Sequence, residues 1–187
     1  SSSELANQIK FYYPNSIRTS QEQIKIIGEA GKADSAIELR MSSRMQGLNN
    51  SLKKSYGIIE GFSKRDVLAF KQDQERQLAA FLSSDKKLTK QYGGVLPEID
   101  SLFKAREKYQ ARDFYLGRMA FGSDYLRMAS TLYRWACERQ KPDLERERGY
   151  QNRDTLTARE RLKNAQINLM PAVDRVVFTY FLKSVMT

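Results

Sequence analysis

One face of a predicted helix carries residues that could bind a ligand. After Asp34 the chain shows helical spacing, and opposite its apolar side, at steps of four, three and four, stand Ser43, Gly47, Asn50 and Lys54. Such steps place side chains in one row along a helix. Inside a helix glycine costs about 1 kcal/mol relative to alanine, and asparagine about half of that, so helix propensity explains neither residue. Small and amide side chains in a row would let a ligand approach closely and form hydrogen bonds, whereas the alternative is an ordinary solvent-exposed face.

Residue types that commonly serve in catalysis or metal binding are scarce in this sequence. It contains no histidine, the usual general base for serine and cysteine nucleophiles and the commonest zinc ligand. Cys137 is the one cysteine, which excludes an internal disulfide and a thiolate cluster, and its helical register favours a buried structural thiol. Glu145 and Glu147 stand among arginines, which predicts a solvated ion-pair network. We predict that the chain alone has no catalytic residues, no metal and no cofactor.

Composition indicates one folded domain over residues 1–187. The hydrophobic content of 41% suits a soluble core, no run of residues is apolar and long enough to span a membrane, and the polar start at residues 1–4 is not a signal peptide. The formal charge of +10 raises the possibility of nucleic-acid binding. Because the cations are scattered among acids, a mixed-charge surface is the better interpretation, and we expect neither a nucleic acid nor a membrane as partner.

Helical spacing over most of the chain predicts an all-α, irregular helical bundle. The segment at residues 9–13 is an exception: it is aromatic and compatible with a short strand or a strap on the core, ended by Pro14. Ser20 and Gln23 match a capping box. Residues 34–35 are predicted to cap the helix with the polar face, whose core side carries Ile37, Met41, Met45, Leu48 and Leu52.

Farther along, glycine and proline predict the boundaries of the helices. Gly57 and Gly61 are expected to loosen the chain before a helix with a buried stripe formed by Val67, Phe70, Leu78, Phe81 and Leu82. A short helix capped at residues 84–85 should end at residues 93–94, where glycines favour a left-handed turn. The segment from Pro97 to Arg139 has apolar residues on two faces, which is typical of a central helix, with breaks expected near residues 112–113, 117 and 122.

The last part of the chain is expected to begin with a loop. Lys141 and Pro142 should end the preceding helix, and a charged loop should follow through residue 154. Helical spacing resumes at Thr155. Pro171 is expected to open a final helix, although its β-branched residues leave a strand possible.

Three segments resemble a known family of peptidases. They are residues 44–75, the sequence YGGVLPEI at residues 92–99, and ERQKPD followed by ERERGYQNRD within residues 138–154. They are similar to the helical domain of the bacterial dipeptidyl-peptidase 7 and 11 family, serine exopeptidases with a chymotrypsin-like double barrel. The resemblance extends from about Ile9 to about Leu182.

The resemblance implies a role for the chain inside a larger enzyme. In that family the helical domain is a cap, inserted between two catalytic barrels and arching over the active-site cleft. The triad histidine and aspartate would then precede residue 1, the serine would follow residue 187, and the barrels of the same chain would be the cap's partners. The parent would be a serine-type dipeptidyl peptidase in the periplasm or at the cell surface.

The resemblance also implies a binding residue. Family members release dipeptides from free peptide N-termini, and one asparagine of the cap helps to hold the α-ammonium group of the substrate. Local alignment of residues 41–50 assigns that role to Asn50, with Asn49 as the alternative register. An amide oxygen can accept a hydrogen bond from an ammonium. A non-enzymatic helical adaptor is the other function that the sequence leaves open, and a basic nucleic-acid binder is a third.

Overall fold

The computed structural model describes residues 1–186, which contain no strand. This confirms the predicted all-α class. The α-helices within these residues are α1 (Ser2–Asn7), α2 (Tyr13–Ala33), α3 (Ser35–Arg65), α4 (Val67–Ser83), α5 (Lys86–Tyr92), α6 (Val95–Gly122), α7 (Asp124–Glu138), α8 (Thr155–Asn168) and α9 (Pro171–Met186). A π-helical turn at Gln8–Tyr12 and 3-10 turns at Asp143–Glu145 and Asn152–Asp154 complete the regular structure.

The residues cluster into two compact units. The first comprises residues 1–25 and 41–110, and the second comprises residues 26–40 and 111–186. The second unit has an apolar centre, in which Ile27, Val173, Val177 and Phe181 are at most 1% exposed. The buried positions of the first unit are mostly polar, namely Ser16, Thr19, Ser20, Gln23 and Ser55, together with Met41. The prediction of a single domain over residues 1–187 stays a prediction.

Residues 9–13 are helical, so the predicted strand or strap is wrong. The N–H of Tyr13 donates to the carbonyl of Gln8, five residues back, which is the bond of a π-turn. Pro14 has no N–H and would break the regular ladder of an α-helix. Because the π-turn shifts the hydrogen-bond register just before this proline, the helical path continues into α2.

The predicted capping box at Ser20 and Gln23 is also wrong, because both residues lie inside α2 and are buried. The side-chain amide of Gln23 donates to the carbonyl of Thr19 at 3.3 Å and accepts from Arg44 Nη2 at 3.2 Å. Satisfied hydrogen bonds of this kind allow polar side chains to be buried in a helix pair.

Helix α3 begins as predicted and ends later than predicted. Asp34 Oδ1 accepts from the N–H of Ala36 at 2.8 Å, which confirms the cap. The helix then runs through Gly57 and Gly61 to Arg65. A cost of about 1 kcal/mol for each glycine is small against the hydrogen bonding of so long a helix. The chain turns instead at Asp66, whose φ of 41° is left-handed.

The boundaries of α4 and α5 match expectation, but the burial of α4 does not. Asp85 Oδ1 accepts from the N–H groups of Lys87 and Leu88, so the cap of α5 is confirmed. Gly93 follows the helix with a right-handed φ of −60°, not a left-handed one. In the predicted stripe of α4 three side chains are largely exposed, which are Phe70, Leu78 and Phe81. Spacing predicts the stripe but not its burial, and among the described residues these three side chains remain 47–63% exposed.

The segment from Pro97 to Arg139 forms two helices that meet at residues 122–123. The breaks expected near residues 112–113 and at Gly117 are absent, since α6 continues to Gly122. On the two apolar faces predicted for this segment, four large side chains are exposed, so neither α6 nor α7 is buried on two sides. They are Phe121, Tyr125, Leu132 and Tyr133. The prediction of a central helix is therefore wrong, because part of each apolar face is exposed to solvent.

The junction between α6 and α7 packs closely against α9 and is hydrogen-bonded to it. A Cβ on Gly122 would lie 2.7 Å from Phe181 Cε2, so only glycine fits there without movement. Ser123 caps α7 and donates to Asp174 Oδ2 at 2.9 Å, while the N–H of Asp124 donates to Asp174 Oδ1 at 2.6 Å. The buried carboxylate of Asp174 thus meets the positive end of the α7 dipole.

The remaining predicted boundaries are confirmed. Helix α7 ends at Glu138, shortly before Pro142, and a loop with two 3-10 turns leads to α8 at Thr155. Helix α9 opens at Pro171, which settles the choice between helix and strand for this segment.

Candidate functional site

The polar face predicted on α3 is present and accessible. Its residues Ser43, Gly47, Asn50 and Lys54 are all exposed, and Met41 on the opposite side is buried. At 100° and about 1.5 Å per residue, the four positions fall within an arc of about 60° and a length of about 16 Å. A Cβ on Gly47 would have no atom within 4 Å, so the centre of this row is open. The α3 polar face therefore offers three exposed hydrogen-bonding side chains, with open space at Gly47 between them.

Asn49 and Asn50 differ in their own hydrogen bonds. Asn49 Nδ2 donates to the carbonyl of Met45 at 2.9 Å within the helix. The side chain of Asn50 makes no hydrogen bond to any residue that the structure describes. Asn50 also shares the row with Gly47 and Lys54, whereas Asn49 is rotated by about 100° from it. The amide of Asn50 is the one of the pair that can present both its donor and its acceptor to a ligand.

Helix α3 is tied to α2 along its length, which fixes the orientation of the polar face. Besides the Arg44 to Gln23 bond, Gln21 Nε2 donates to the hydroxyl of Tyr56 at 3.0 Å. The rings of Tyr13 and Phe62 lie 6.1 Å apart. These links place one side of α3 against α2 and leave the α3 polar face toward solvent.

The side chains of the α3 polar face are hydrogen-bond donors and acceptors. Lys54 can only donate, Asn50 can donate and accept, and Ser43 can do both through its hydroxyl. No histidine is present to activate the serine. Among residues 1–186 no three His, Cys, Asp or Glu side chains are grouped so that they could hold a metal ion.

A second polar cluster, which sequence reasoning missed, holds the loop after α7. Glu138 is 6% exposed, accepts from Lys141 Nζ at 2.6 Å and from the N–H of Glu147 at 2.9 Å. These two hydrogen bonds, the Lys141 one first, hold the pKa of Glu138 below its ordinary value, and the bond to Glu138 raises the pKa of Lys141. The predicted ion-pair network is present in part, with Glu147 bound to Arg134. Only the density of charges in this segment could have signalled the cluster.

The thiol of Cys137 is half-buried, less enclosed than expected. A hydrogen bond with this thiol raises the pKa of the Tyr133 hydroxyl. Tyr133 itself is 72% exposed.

The helical segments described here are too short or too polar for a transmembrane helix.

Residues 1–186 thus form an all-helical fold in which α3 carries an exposed polar row. The chain belongs to the Peptidase S46 family, whose profile matches residues 1–187. It is 30% identical over 184 residues to the Asp/Glu-specific dipeptidyl-peptidase of Shewanella putrefaciens, an alignment that covers 96% of this chain and 25% of that protein. It is also 30% identical over 94 residues to dipeptidyl-peptidase 7 of Porphyromonas gingivalis, covering 50% of this chain and 13% of that protein. The chain thus spans about a quarter or less of the length of these relatives, and it is related to dipeptidyl peptidases.

Proposed function

We propose that the chain is the helical cap of a serine-type dipeptidyl peptidase and that its α3 polar face binds the free N-terminus of the peptide substrate. The observation that carries the proposal is the side chain of Asn50, which is exposed, belongs to the polar row and makes no hydrogen bond with any residue that the structure describes. Membership in the Peptidase S46 family supports the same role.

The α3 polar face suits the first residues of a peptide. The amide oxygen of Asn50 accepts from the α-ammonium group, and Lys54, one turn farther, donates to a carbonyl of the same peptide. Gly47 leaves room for the chain to lie close to the helix. An exopeptidase must measure two residues from the amine, and a fixed acceptor does this by positioning the scissile bond.

The partners of the cap in this proposal are the two catalytic barrels of the same protein. Exposed aromatic side chains on α4 offer a surface for such contacts, since Phe70 and Phe81 are each 63% exposed. A location in the periplasm or at the cell surface belongs to the same proposal, and fractionation of cells that express the parent protein tests it.

The test is dipeptide release by the parent protein from fluorogenic dipeptides with free and with acetylated N-termini. We expect Asn50→Ala to lower kcat/KM for free-amine substrates by about 10- to 100-fold, because a hydrogen bond to a charged group contributes about 1.5–3 kcal/mol. Slow residual cleavage of acetylated substrates should not change.

Asn49→Ala is the matched control, since its side chain bonds within the helix. We expect it to leave kcat/KM nearly unchanged. An unaltered kcat/KM in Asn50→Ala, or a larger loss in Asn49→Ala, would contradict the assignment of Asn50. A parent protein without any dipeptide release would favour a helical adaptor instead.

A further inference from the structure

The second unit contains a groove that the proposed cap function does not use. It lies between α7 and α8, with residues 147–150 of the intervening loop as a further wall, and has a volume of about 750 Å³. Grooves of about 300–1,000 Å³ accommodate small ligands and short peptide segments. Nothing in the α3 polar face contributes to this groove, which we call the α7–α8 groove.

The α7–α8 groove is positively charged. Its lining includes four arginines and one glutamate. Arg127 is paired with Asp124 at 2.6 Å and Arg134 with Glu147, so these two are compensated. Arg148 and Arg161 have no ion pair with any residue that the structure describes. Two uncompensated guanidinium groups on a concave surface favour a ligand with carboxylate or phosphate groups.

Two aromatic side chains line the α7–α8 groove, Trp135 of α7 and Tyr150 of the loop, and hydrogen bonds hold the loop in place. Trp135 and Tyr150 meet edge to face with ring centroids 5.7 Å apart, and Arg134 lies 5.2 Å from the centre of the Tyr150 ring. The hydrogen bonds of buried Glu138 anchor the loop to the end of α7. A prearranged wall reduces the entropy cost of binding.

Helix α8 contributes a row that matches an extended peptide. Arg161, Asn164 and Asn168 follow at steps of three and four and all line the groove. The side chain of neither asparagine forms a hydrogen bond with another described residue. Each amide can donate to a carbonyl and accept from an N–H. Asn164 and Asn168 are separated by about 6 Å along the helix, close to the repeat of about 6.6 Å between alternate residues of an extended chain.

We propose that the α7–α8 groove binds an acidic peptide segment in extended conformation. Asn164 and Asn168 bind its backbone, Arg148 and Arg161 bind its carboxylates, and an apolar side chain packs against Trp135. The paired amides favour a peptide over a nucleic acid, because two free arginines offer few phosphate contacts while backbone amide recognition needs both a donor and an acceptor.

Trp135 makes the groove directly observable, since it is the single tryptophan of the chain. The full chain is titrated with the acetylated and amidated peptide Glu-Leu-Glu-Asp, followed by tryptophan fluorescence and calorimetry. The acetyl cap removes the ammonium group, so this binding is independent of the α3 polar face. We expect saturable binding, and about tenfold weaker binding of the neutral peptide Gln-Leu-Gln-Asn.

Variants locate the binding. Arg161→Gln should weaken binding of the acidic peptide about tenfold, and Asn164→Ala should weaken both peptides, whereas Glu147→Gln should strengthen binding of the acidic peptide by releasing Arg134. Arg159→Gln is the matched control, since it removes an exposed arginine of the same helix that does not line the groove. Circular dichroism verifies that each variant keeps its helical content.

Three results would overturn the proposal. They are equal affinity for the acidic and neutral peptides, equal losses in Arg161→Gln and Arg159→Gln, and preferential binding of a duplex DNA oligonucleotide or of inorganic phosphate at the same concentration. The last result would identify the groove as a nucleic-acid or simple anion site.

Discussion

At the scale of single residues, Glu138 combines burial with two hydrogen bonds to its carboxylate. Since its pKa is lowered in the folded protein, the ionised form adds stability above the unfolded pKa of about 4.3, and that stability is lost as pH falls through the lowered value. The pH dependence that Lys141 contributes has the opposite sign. Because its pKa is raised in the folded protein, it adds stability that is lost only as pH rises through that value.

We expect Glu138→Gln to lower Tm at neutral pH and to flatten the fall of Tm in acid. Thermal unfolding between about pH 2 and pH 8 measures both effects. Glu145→Gln is the control, an exposed glutamate of the loop that follows α7, and should leave the profile unchanged. Parallel acid profiles for Glu138→Gln and the original protein would show that the hydrogen bonds to Glu138 do not stabilise the fold.

The close contact at Gly122 gives a second prediction at this scale. In Gly122→Ala the new methyl group would meet the ring of Phe181, which is fully buried and cannot move aside freely. We expect a loss of about 1–3 kcal/mol in the free energy of unfolding, measured in urea. Gly117→Ala in the same helix, where nothing lies within 4 Å, should instead gain about 0.5–1 kcal/mol. Equal free energies of unfolding for Gly122→Ala and the original protein would mean that the Phe181 ring shifts without cost.

At the scale of elements, two glycines of α3 allow helix stability and the proposed substrate binding to be tested separately. Gly47 and Gly57 both lie within it in open space, and alanine at either position should raise the free energy of unfolding by about 0.5–1 kcal/mol. Gly47 lies within the α3 polar face, between Ser43 and Asn50, whereas Gly57 lies about 15 Å farther along the helix, beyond Lys54.

We therefore expect Gly47→Ala to stabilise the helix while lowering kcat/KM of the parent protein for free-amine substrates. Gly57→Ala should stabilise to the same degree and leave kcat/KM unchanged. Unfolding in urea and dipeptide release, measured on both variants, separate the two effects. Unchanged kcat/KM in Gly47→Ala would remove Gly47 from the proposed site and leave Asn50 and Lys54.

At the scale of the whole molecule, three phenylalanines that all lie in helices have different environments. Phe181 is fully buried, while Phe70 and Phe81 are each 63% exposed. We expect Phe181→Ala to cost about 3–5 kcal/mol and the double variant Phe70→Ser and Phe81→Ser to change stability by about 1 kcal/mol at most. Urea unfolding measures both, and a large loss in the double variant would show that α4 is packed against the core.

The same double variant tests the proposed contact with the catalytic barrels. If α4 meets them, the parent protein carrying it should release dipeptides more slowly while the cap itself remains folded. Unchanged release would exclude Phe70 and Phe81 from that contact.

Local chemistry determined the helices of this protein. Helical hydrogen bonds and caps involve residues a few positions apart, so the cap at Asp34, the helix starts at Thr155 and Pro171 and the polar row around Asn50 are predictable from spacing. The same locality explains the errors at Gly57 and Pro14, where a local preference was outweighed by the rest of a long helix or by a π-turn.

Only the tertiary structure decided which helix faces are buried. Burial depends on what other segments supply, and spacing shows a stripe without showing whether anything covers it. This is why the apolar stripe of α4 is exposed, why Ser16 and Thr19 of α2 are buried, and why Glu138 lies beneath a charged loop. The α7–α8 groove has the same origin, because Trp135 and Asn164 are far apart in sequence and line one groove only through the packing of two helices.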